Sequence, residues 1–195
     1  MRDCGFGSGH ACEYVAGISS RRTSRSLRRS LGLDDSRPST YCTRAFSVLL
    51  TDPVGQVLLQ QRAASKTGFA NAWANTCCGH PAPGIAPIPA AVARLRAELG
   101  IEAPALHERG TFLYHAHDPA SGRVEHEYDH VLIGTLETPI TLTLDPAEVA
   151  DIQCIKAEVL DAQLTEKPGH FAPWLLGVLR IAMPTGLGIL PQHVV

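Results

Sequence analysis

The sequence has few aromatic residues, few charged residues and no long apolar run. Aromatic residues make up 6% of the chain and charged residues 18%. The 17 basic and 19 acidic residues leave a net charge of −2, without the positive excess typical of nucleic-acid-binding proteins. No apolar run approaches the length of about 20 residues that crosses a bilayer. We therefore expect neither a nucleic-acid partner nor a membrane partner.

The six cysteines also lack the spacing of a zinc knuckle or of a disulfide framework. No secretory signal precedes them, so we expect a reducing intracellular compartment, with the cytoplasm as its simplest form. Cys77 and Cys78 are adjacent, and because vicinal cysteines rarely pair with each other, both are expected to be thiols. An organelle-targeting leader is the alternative to a cytoplasmic location.

Residues 1–42 differ in composition from the rest. Serine, glycine and arginine dominate, eight of the 17 basic residues lie in the first 44 positions, and neither strand nor helix periodicity is sustained. A disordered tail and an organelle transit peptide both fit this composition. The length of 195 residues suits one domain, which we place at residues 43–195.

The later sequence predicts a mixture of strands and helices. Residues 45–50 and 56–62 predict strands joined by a turn at 52–55, hence a hairpin. The proline-rich segment 81–89 predicts a loop, and residues 90–99 predict a helix with Val92, Leu95 and Leu99 on one stripe and Gly100 as its stop. Further predicted strands are 112–114, 125–136 and 153–156, and further helices are 158–164 and 173–182. This order indicates an α+β fold built as a sandwich.

Cys78 is a candidate catalytic residue, because Gly79 and the His80-Pro81 pair follow it directly. A catalytic cysteine must be partly exposed and electrostatically poised, whereas most cysteines are small core residues. The neighbouring Cys77 is expected to point elsewhere and to be structural.

Glu125 and Glu127 project from the same face if their segment is a strand. Two adjacent carboxylates repel each other unless a cation or a shared proton relieves the repulsion, and a metal ion shared with His80 would do so. A solvated pair on an edge strand is the alternative. The apolar run at residues 131–133 favours an interior strand.

Arg94 and Glu98 are four residues apart on one helical face, as in an ordinary surface ion pair. With Arg62 and Lys66, Arg94 could instead form a basic cradle for a phosphate group.

Three aromatic residues complete the candidates: Trp73, Trp174 and Tyr114. They could be core residues, or they could line a cavity that stabilises a transient positive charge.

Five segments carry a resemblance to one family: residues 44–48 (RAFSV), 58–62 (LLQQR), 73–81 (WANTCCGHP), 97–101 (AELGI) and 125–128 (EHEY). In order and spacing, the chain resembles type I isopentenyl-diphosphate isomerase from about Arg44 to Trp174. The resemblance implies the Nudix fold, an α/β/α sandwich with a mixed sheet. It also implies interconversion of isopentenyl diphosphate and dimethylallyl diphosphate in isoprenoid biosynthesis.

The resemblance implies roles for individual residues. Cys78 and Glu127 would act on opposite sides of the substrate, with Tyr114 near the acid and Trp174 facing a carbocation. His80, Glu125 and Glu127 would hold Mn²⁺, Zn²⁺ or Mg²⁺. Glu98 would hold Mg²⁺ on the substrate diphosphate, and the basic cradle would consist of Arg62, Lys66 and Arg94. The expected partner is a small isoprenoid diphosphate, and the expected state is a monomer or weak dimer.

The chain departs from the family pattern at several positions. Thr43 stands where the family has one metal-binding histidine, and the other falls near Ser36. Ile85 and Ala93 stand where a glutamate and an arginine are common. Three metal ligands remain from an expected five, which predicts weaker binding. A shift of two bases across codons 41–43 can give Leu-His, so we hypothesise that residues 1–42 are a misread or frameshifted N-terminus.

Two other functions remain open at this point. One is a Nudix hydrolase of a diphosphate substrate, although Glu98 is the only clear glutamate of the cluster that such an enzyme uses. The other is an inactive homologue that binds a diphosphate without converting it.

Overall fold

The computed structural model describes residues 42–137 and 140–184. These residues form strands β1 (Thr43–Thr51), β2 (Val57–Arg62), β3 (Trp73–Ala74), β4 (Cys77–Gly79), β5 (His107–His117), β6 (Val124–Thr135) and β7 (Val149–Ile155). The helices are α1 (Pro87–Leu99), α2 (Ala157–Glu166) and α3 (Leu175–Ala182), with a 3-10 turn at Pro168–His170. The predictions for residues 1–41, including Ser36, lie outside the described residues. None of these helices is long and apolar enough to span a bilayer.

The strands form one mixed sheet in the order β3-β2-β1-β6-β5, with β4 paired to β1 and β7 paired to β2. β1 and β6 are parallel and stay in register from Thr43 opposite Glu127 to Thr51 opposite Thr135. The other pairs are antiparallel. The predicted β1–β2 hairpin is confirmed, and the Asp52 carboxylate stabilises its turn by accepting from the backbone N–H of Gln56 at 2.7 Å.

Helices cover both faces of this sheet. On one face α1 packs Leu95 and Leu99 against a core that includes Phe46 and Leu132. On the other, α2 and α3 pack against a second core formed by the side chains that point the opposite way. The predicted α/β/α sandwich with a mixed sheet is therefore confirmed.

Helix α1 differs from its prediction at its start and in its buried face. It begins at Pro87, because prolines in the first helical turn need no N–H donor, so part of the predicted loop is helix. It ends as predicted at Gly100, whose φ of 67° is left-handed. Of the predicted stripe, Leu95 and Leu99 are buried, whereas Val92 is 38% exposed. Ala91 and Glu98 complete the buried face, so a carboxylate faces the protein interior.

Two buried polar residues hold the short strand β4 in place. Thr76 Oγ1 donates to the Leu58 carbonyl at 2.6 Å and accepts from the Leu50 N–H at 2.9 Å. Asn75 Nδ2 donates to the carbonyls of Val48 at 3.1 Å and Cys77 at 2.7 Å. These side chains tie the segment before Cys78 to β1 and β2, and so fix the position of the candidate site.

Candidate active site

The adjacent cysteines lie on opposite faces of the sheet. Cys77 is fully buried in the core beneath α1, and Cys78 is partly exposed on the face that carries α3. Side chains alternate along a strand, so the register of Cys78 opposite Ser47 in β1 turns Cys77 to the other side. The prediction that Cys77 points elsewhere is confirmed.

The Cys78 thiol is held in its neutral form. Burial raises its pKa to about 12; the Arg62 guanidinium lowers it, while Glu98, Glu127 and Glu125 raise it further. Arg62 Nη1 lies 3.8 Å from Cys78 Sγ, a long contact that does not offset the burial. At neutral pH this residue is therefore a thiol that can give a proton and not a thiolate nucleophile.

Glu127 lies at the centre of a hydrogen-bonded cluster. Tyr114, its partner in the β5–β6 register, donates its hydroxyl to Glu127 Oε2 at 2.6 Å and lies 3.2 Å from Glu125 Oε2. His80 Nε2 lies 2.6 Å from Glu127 Oε1. The two carboxylates share one face, as the strand periodicity predicted. Glu127 is only 7% exposed, which excludes the solvated pair on an edge strand.

The cluster shifts the pKa values of its members. Burial raises the pKa of Glu125, and the neighbouring Glu127 charge raises it further against the opposing effect of Arg62. Burial lowers the pKa of His80, but its hydrogen bond and charge interaction with Glu127 leave that pKa above its usual value. The Tyr114 pKa is raised, first by burial and then by the two carboxylates. Tyr114 therefore remains a hydrogen-bond donor.

Arg62 packs beside Cys78 against Trp174. Its guanidinium carbon lies 5.3 Å from the centroid of the Trp174 ring, and its Nε and Nη2 donate to the carbonyls of Phe69 at 3.1 Å and Gly68 at 2.8 Å. Trp174 Nε1 donates in turn to Asn75 Oδ1 at 2.9 Å. The Trp174 ring thus packs against the Arg62 guanidinium in a cation–π contact.

The other predicted basic residues form a separate cluster. Lys66 Nζ and Arg94 Nη2 both donate to Glu148 Oε2, the latter at 2.8 Å, and Arg94 Nε lies 2.5 Å from Glu98 Oε1. The predicted pair of Arg94 and Glu98 exists, but it is not an ordinary surface pair, because Glu98 is 2% exposed while the Arg94 side chain is 35% exposed. The predicted basic cradle is therefore divided. Arg62 lies beside Cys78 and Trp174, whereas Lys66 and Arg94 both contact Glu148.

Two acidic residues of these clusters were not predicted. Asp129 is buried, accepts from Ser47 Oγ at 2.7 Å, and lies two residues after Glu127, so the strand periodicity could have identified it. Burial raises its pKa to about 7. Glu148 lies 82 residues from Lys66 in the sequence, and no local pattern indicates their contact.

The predicted metal ligands lie together without forming a closed site. Within residues 42–137 and 140–184, no group of three or more His, Cys, Asp and Glu side chains is arranged to hold a metal ion. His80 Nε2 and Glu127 Oε1 nevertheless lie 2.6 Å apart, and an imidazole nitrogen and a carboxylate oxygen are both donor types that divalent metal ions accept. Glu98 also has a buried oxygen, Oε2, without a hydrogen-bond partner. The donor chemistry fits divalent cations.

Thr43 stands beside this group. It is the first residue of β1 and the register partner of Glu127. The position at which the resemblance led us to expect a histidine is therefore next to the proposed ligands, and a threonine is not a comparable donor for these metals.

The fold and the matched residues define the class of the protein. Residues 43–175 match the NUDIX domain family. The crystal structure of DR0079 from Deinococcus radiodurans covers 75% of this chain and 88% of its own, with a TM-score of 0.59 and 19% identity. The match to the NUDIX domain of Shewanella oneidensis NrtR covers 83% of this chain and 97% of that domain's chain, with a TM-score of 0.56 and 14% identity. The chain is a NUDIX-domain protein.

Relatives of higher identity define the family within that class. The isopentenyl-diphosphate Delta-isomerase of Nocardia farcinica is 58% identical over 139 residues, which are 71% of this chain and 78% of the relative. The isopentenyl-diphosphate Delta-isomerase of Streptomyces coelicolor is 45% identical over 150 residues, or 76% and 73% of the two chains. The chain belongs to the isopentenyl-diphosphate Delta-isomerase family.

Proposed function

We propose that the protein converts isopentenyl diphosphate to dimethylallyl diphosphate. The observation that carries the proposal is the position of a neutral thiol, Cys78, on the same face of the sheet as the Glu127 carboxylate and the Tyr114 hydroxyl. The reaction needs a proton donor and a proton acceptor that do not neutralise each other. A thiol with a pKa of about 12 and a carboxylate fixed by two hydrogen bonds meet that need.

The chemistry moves one proton onto the substrate and takes another away. A proton added to the terminal methylene carbon leaves a tertiary carbocation, and loss of a proton from the carbon nearer the diphosphate forms the new double bond. Cys78 and Glu127 act at these two carbons from opposite sides of the substrate. Tyr114 orients Glu127, and the face of Trp174 stabilises the carbocation and excludes water.

His80, Glu125 and Glu127 would hold a divalent ion, Mn²⁺, Zn²⁺ or Mg²⁺, and Glu98 would hold Mg²⁺ on the substrate diphosphate. When bound, these ions would neutralise charge on the carboxylates and on the diphosphate. Lys66 and Arg94 would bind the diphosphate directly, while Arg62 closes the wall beside Cys78. We place the enzyme in the cytoplasm as a monomer or weak dimer.

Turnover of labelled isopentenyl diphosphate with Mg²⁺ and Mn²⁺ tests the proposal. We expect conversion by the parent protein and a loss of about a hundredfold or more in Cys78→Ala. Cys154→Ala is the matched control, because Cys154 is exposed on β7 and should leave the rate unchanged. Binding of the substrate without conversion would overturn the proposal and favour the inactive homologue. Release of inorganic phosphate or pyrophosphate would favour the hydrolase.

A further inference from the structure

Glu148 is the one member of the charged cluster around Arg94 that has no role in the proposed function. We propose that Glu148 is a specificity-determining residue, which makes this cluster bind a diphosphate as its complex with a divalent cation and discriminate against the free anion. The inference rests on the proposed function, because it takes the cluster of Lys66, Arg94, Glu98 and Glu148 as the diphosphate site.

The backbone fixes Glu148 at this place. Its N–H donates to the Asp145 carbonyl at 3.0 Å, and its own carbonyl accepts from the Ala63 N–H at 3.0 Å. One residue earlier, the Ala147 carbonyl accepts from Ser65 Oγ at 2.9 Å. The turn that carries Glu148 is thus bonded through two consecutive backbone carbonyls, those of Ala147 and Glu148, to the segment that leads to Lys66. The backbone therefore places Glu148 next to Lys66, so their contact does not depend on the flexible side chains alone.

The charges of the cluster cancel. Two cations, Lys66 and Arg94, face two carboxylates, Glu98 and Glu148, and Arg94 contacts each carboxylate with a different nitrogen, Nε toward Glu98 and Nη2 toward Glu148. An anion with several negative charges gains little from a site whose net charge is zero. A divalent cation adds two positive charges, and Glu98 Oε2 is a buried acceptor without a hydrogen-bond partner. The cluster therefore favours the cation complex.

Glu148 is the carboxylate whose neutralisation should change this preference. Glu98 is almost fully buried on α1, whereas the Glu148 side chain is 26% exposed and lies between the two cations. Glu148→Gln keeps an acceptor oxygen for Lys66 and Arg94, and it leaves the cluster with one net positive charge. Glu148→Asp keeps the negative charge on a shorter side chain.

Isothermal titration of the full chain with inorganic pyrophosphate, in excess Mg²⁺ and in EDTA, tests the inference. In EDTA we expect Glu148→Gln to bind pyrophosphate about tenfold more tightly than the parent. The dissociation constant in EDTA divided by that in Mg²⁺ should therefore fall by a similar factor in this variant. Glu148→Asp should have the same ratio as the parent. Glu102→Gln is the control: it removes the same charge from the exposed Arg96–Glu102 pair and should change neither constant by more than about twofold.

Weaker or unchanged pyrophosphate binding by Glu148→Gln in EDTA would overturn the inference, since Glu148 would then only hold the two cations in place. Failure of the parent to bind pyrophosphate with Mg²⁺ would overturn it as well. The titration involves no isomerisation. A protein that binds pyrophosphate as expected but does not convert isopentenyl diphosphate would therefore contradict the proposed function and leave the Glu148 inference intact.

Discussion

Asn75→Ala tests whether one buried amide joins the strand of Cys78 to the wall that carries Trp174. Asn75 is fully buried and makes three hydrogen bonds: its Nδ2 donates to the carbonyls of Val48 and Cys77, and its Oδ1 accepts from Trp174 Nε1. The substitution removes all three, and it leaves the indole N–H of a residue that is 3% exposed without this partner.

The loss of stability follows from these groups. A buried donor or acceptor left unsatisfied costs about 1–3 kcal/mol, and the two carbonyls should lie at the low end, since each has a second lone pair. We expect the free energy of unfolding to fall by about 3–5 kcal/mol in total. Urea unfolding followed by circular dichroism measures this change, and the slope of free energy against urea concentration should stay the same.

Gln153→Ala is the control for this experiment. Gln153 is exposed on β7, so its truncation should change stability by less than about 0.5 kcal/mol. A loss below about 1 kcal/mol in Asn75→Ala would refute the reasoning, because the amide would then not be needed to satisfy the three groups.

Three further predictions concern single contacts. Tyr114→Phe removes the hydroxyl that donates to Glu127. We expect kcat for isomerisation to fall about tenfold to a hundredfold, with KM within about threefold of the parent value. An unchanged kcat would contradict the role of the hydroxyl. Gly100→Ala places a Cβ 2.8 Å from Thr143 Cβ at a φ of 67°. A thermal melt should show a loss of stability of about 1–2 kcal/mol. Gly169→Ala, which has open space around it, should show no such loss. Asp129→Asn in EDTA should raise the melting temperature at pH 8 and not at pH 4. Burial raises the Asp129 pKa to about 7, above that of the unfolded chain, so ionisation costs the folded state stability as pH rises between the two values. A gain at pH 4 as large as that at pH 8 would contradict this account.

Periodicity and turn chemistry predicted much of the fold. The turn at Asp52 gave the hairpin, Gly100 gave the helix end, and the two-residue spacing of Glu125 and Glu127 gave their common face. These features depend on contacts between residues close in sequence. Local rules therefore suffice for them.

Other parts of the site depend on contacts between distant segments, and the sequence alone did not reveal them. Strand β4 is three residues long and is held by the side chains of Asn75 and Thr76, so its own residues show no strand pattern. The buried face of α1 includes Glu98. A pattern of apolar residues does not predict a buried glutamate, because the burial of Glu98 depends on its ion pair with Arg94. Glu148 joins the cluster from a separate turn.

The parallel pairing of β1 with β6 determines when the site can form during folding. Ser47 and Asp129, which are hydrogen-bonded in the native protein, are 82 positions apart in the sequence. The β1–β2 hairpin can close early over a short loop, but Glu127 reaches His80 only after β6 has returned to β1 across most of the domain. Closing such a long loop is slow and entropically costly. A refolding chain should therefore regain much of its secondary structure before it regains any activity, and folding intermediates should be catalytically silent.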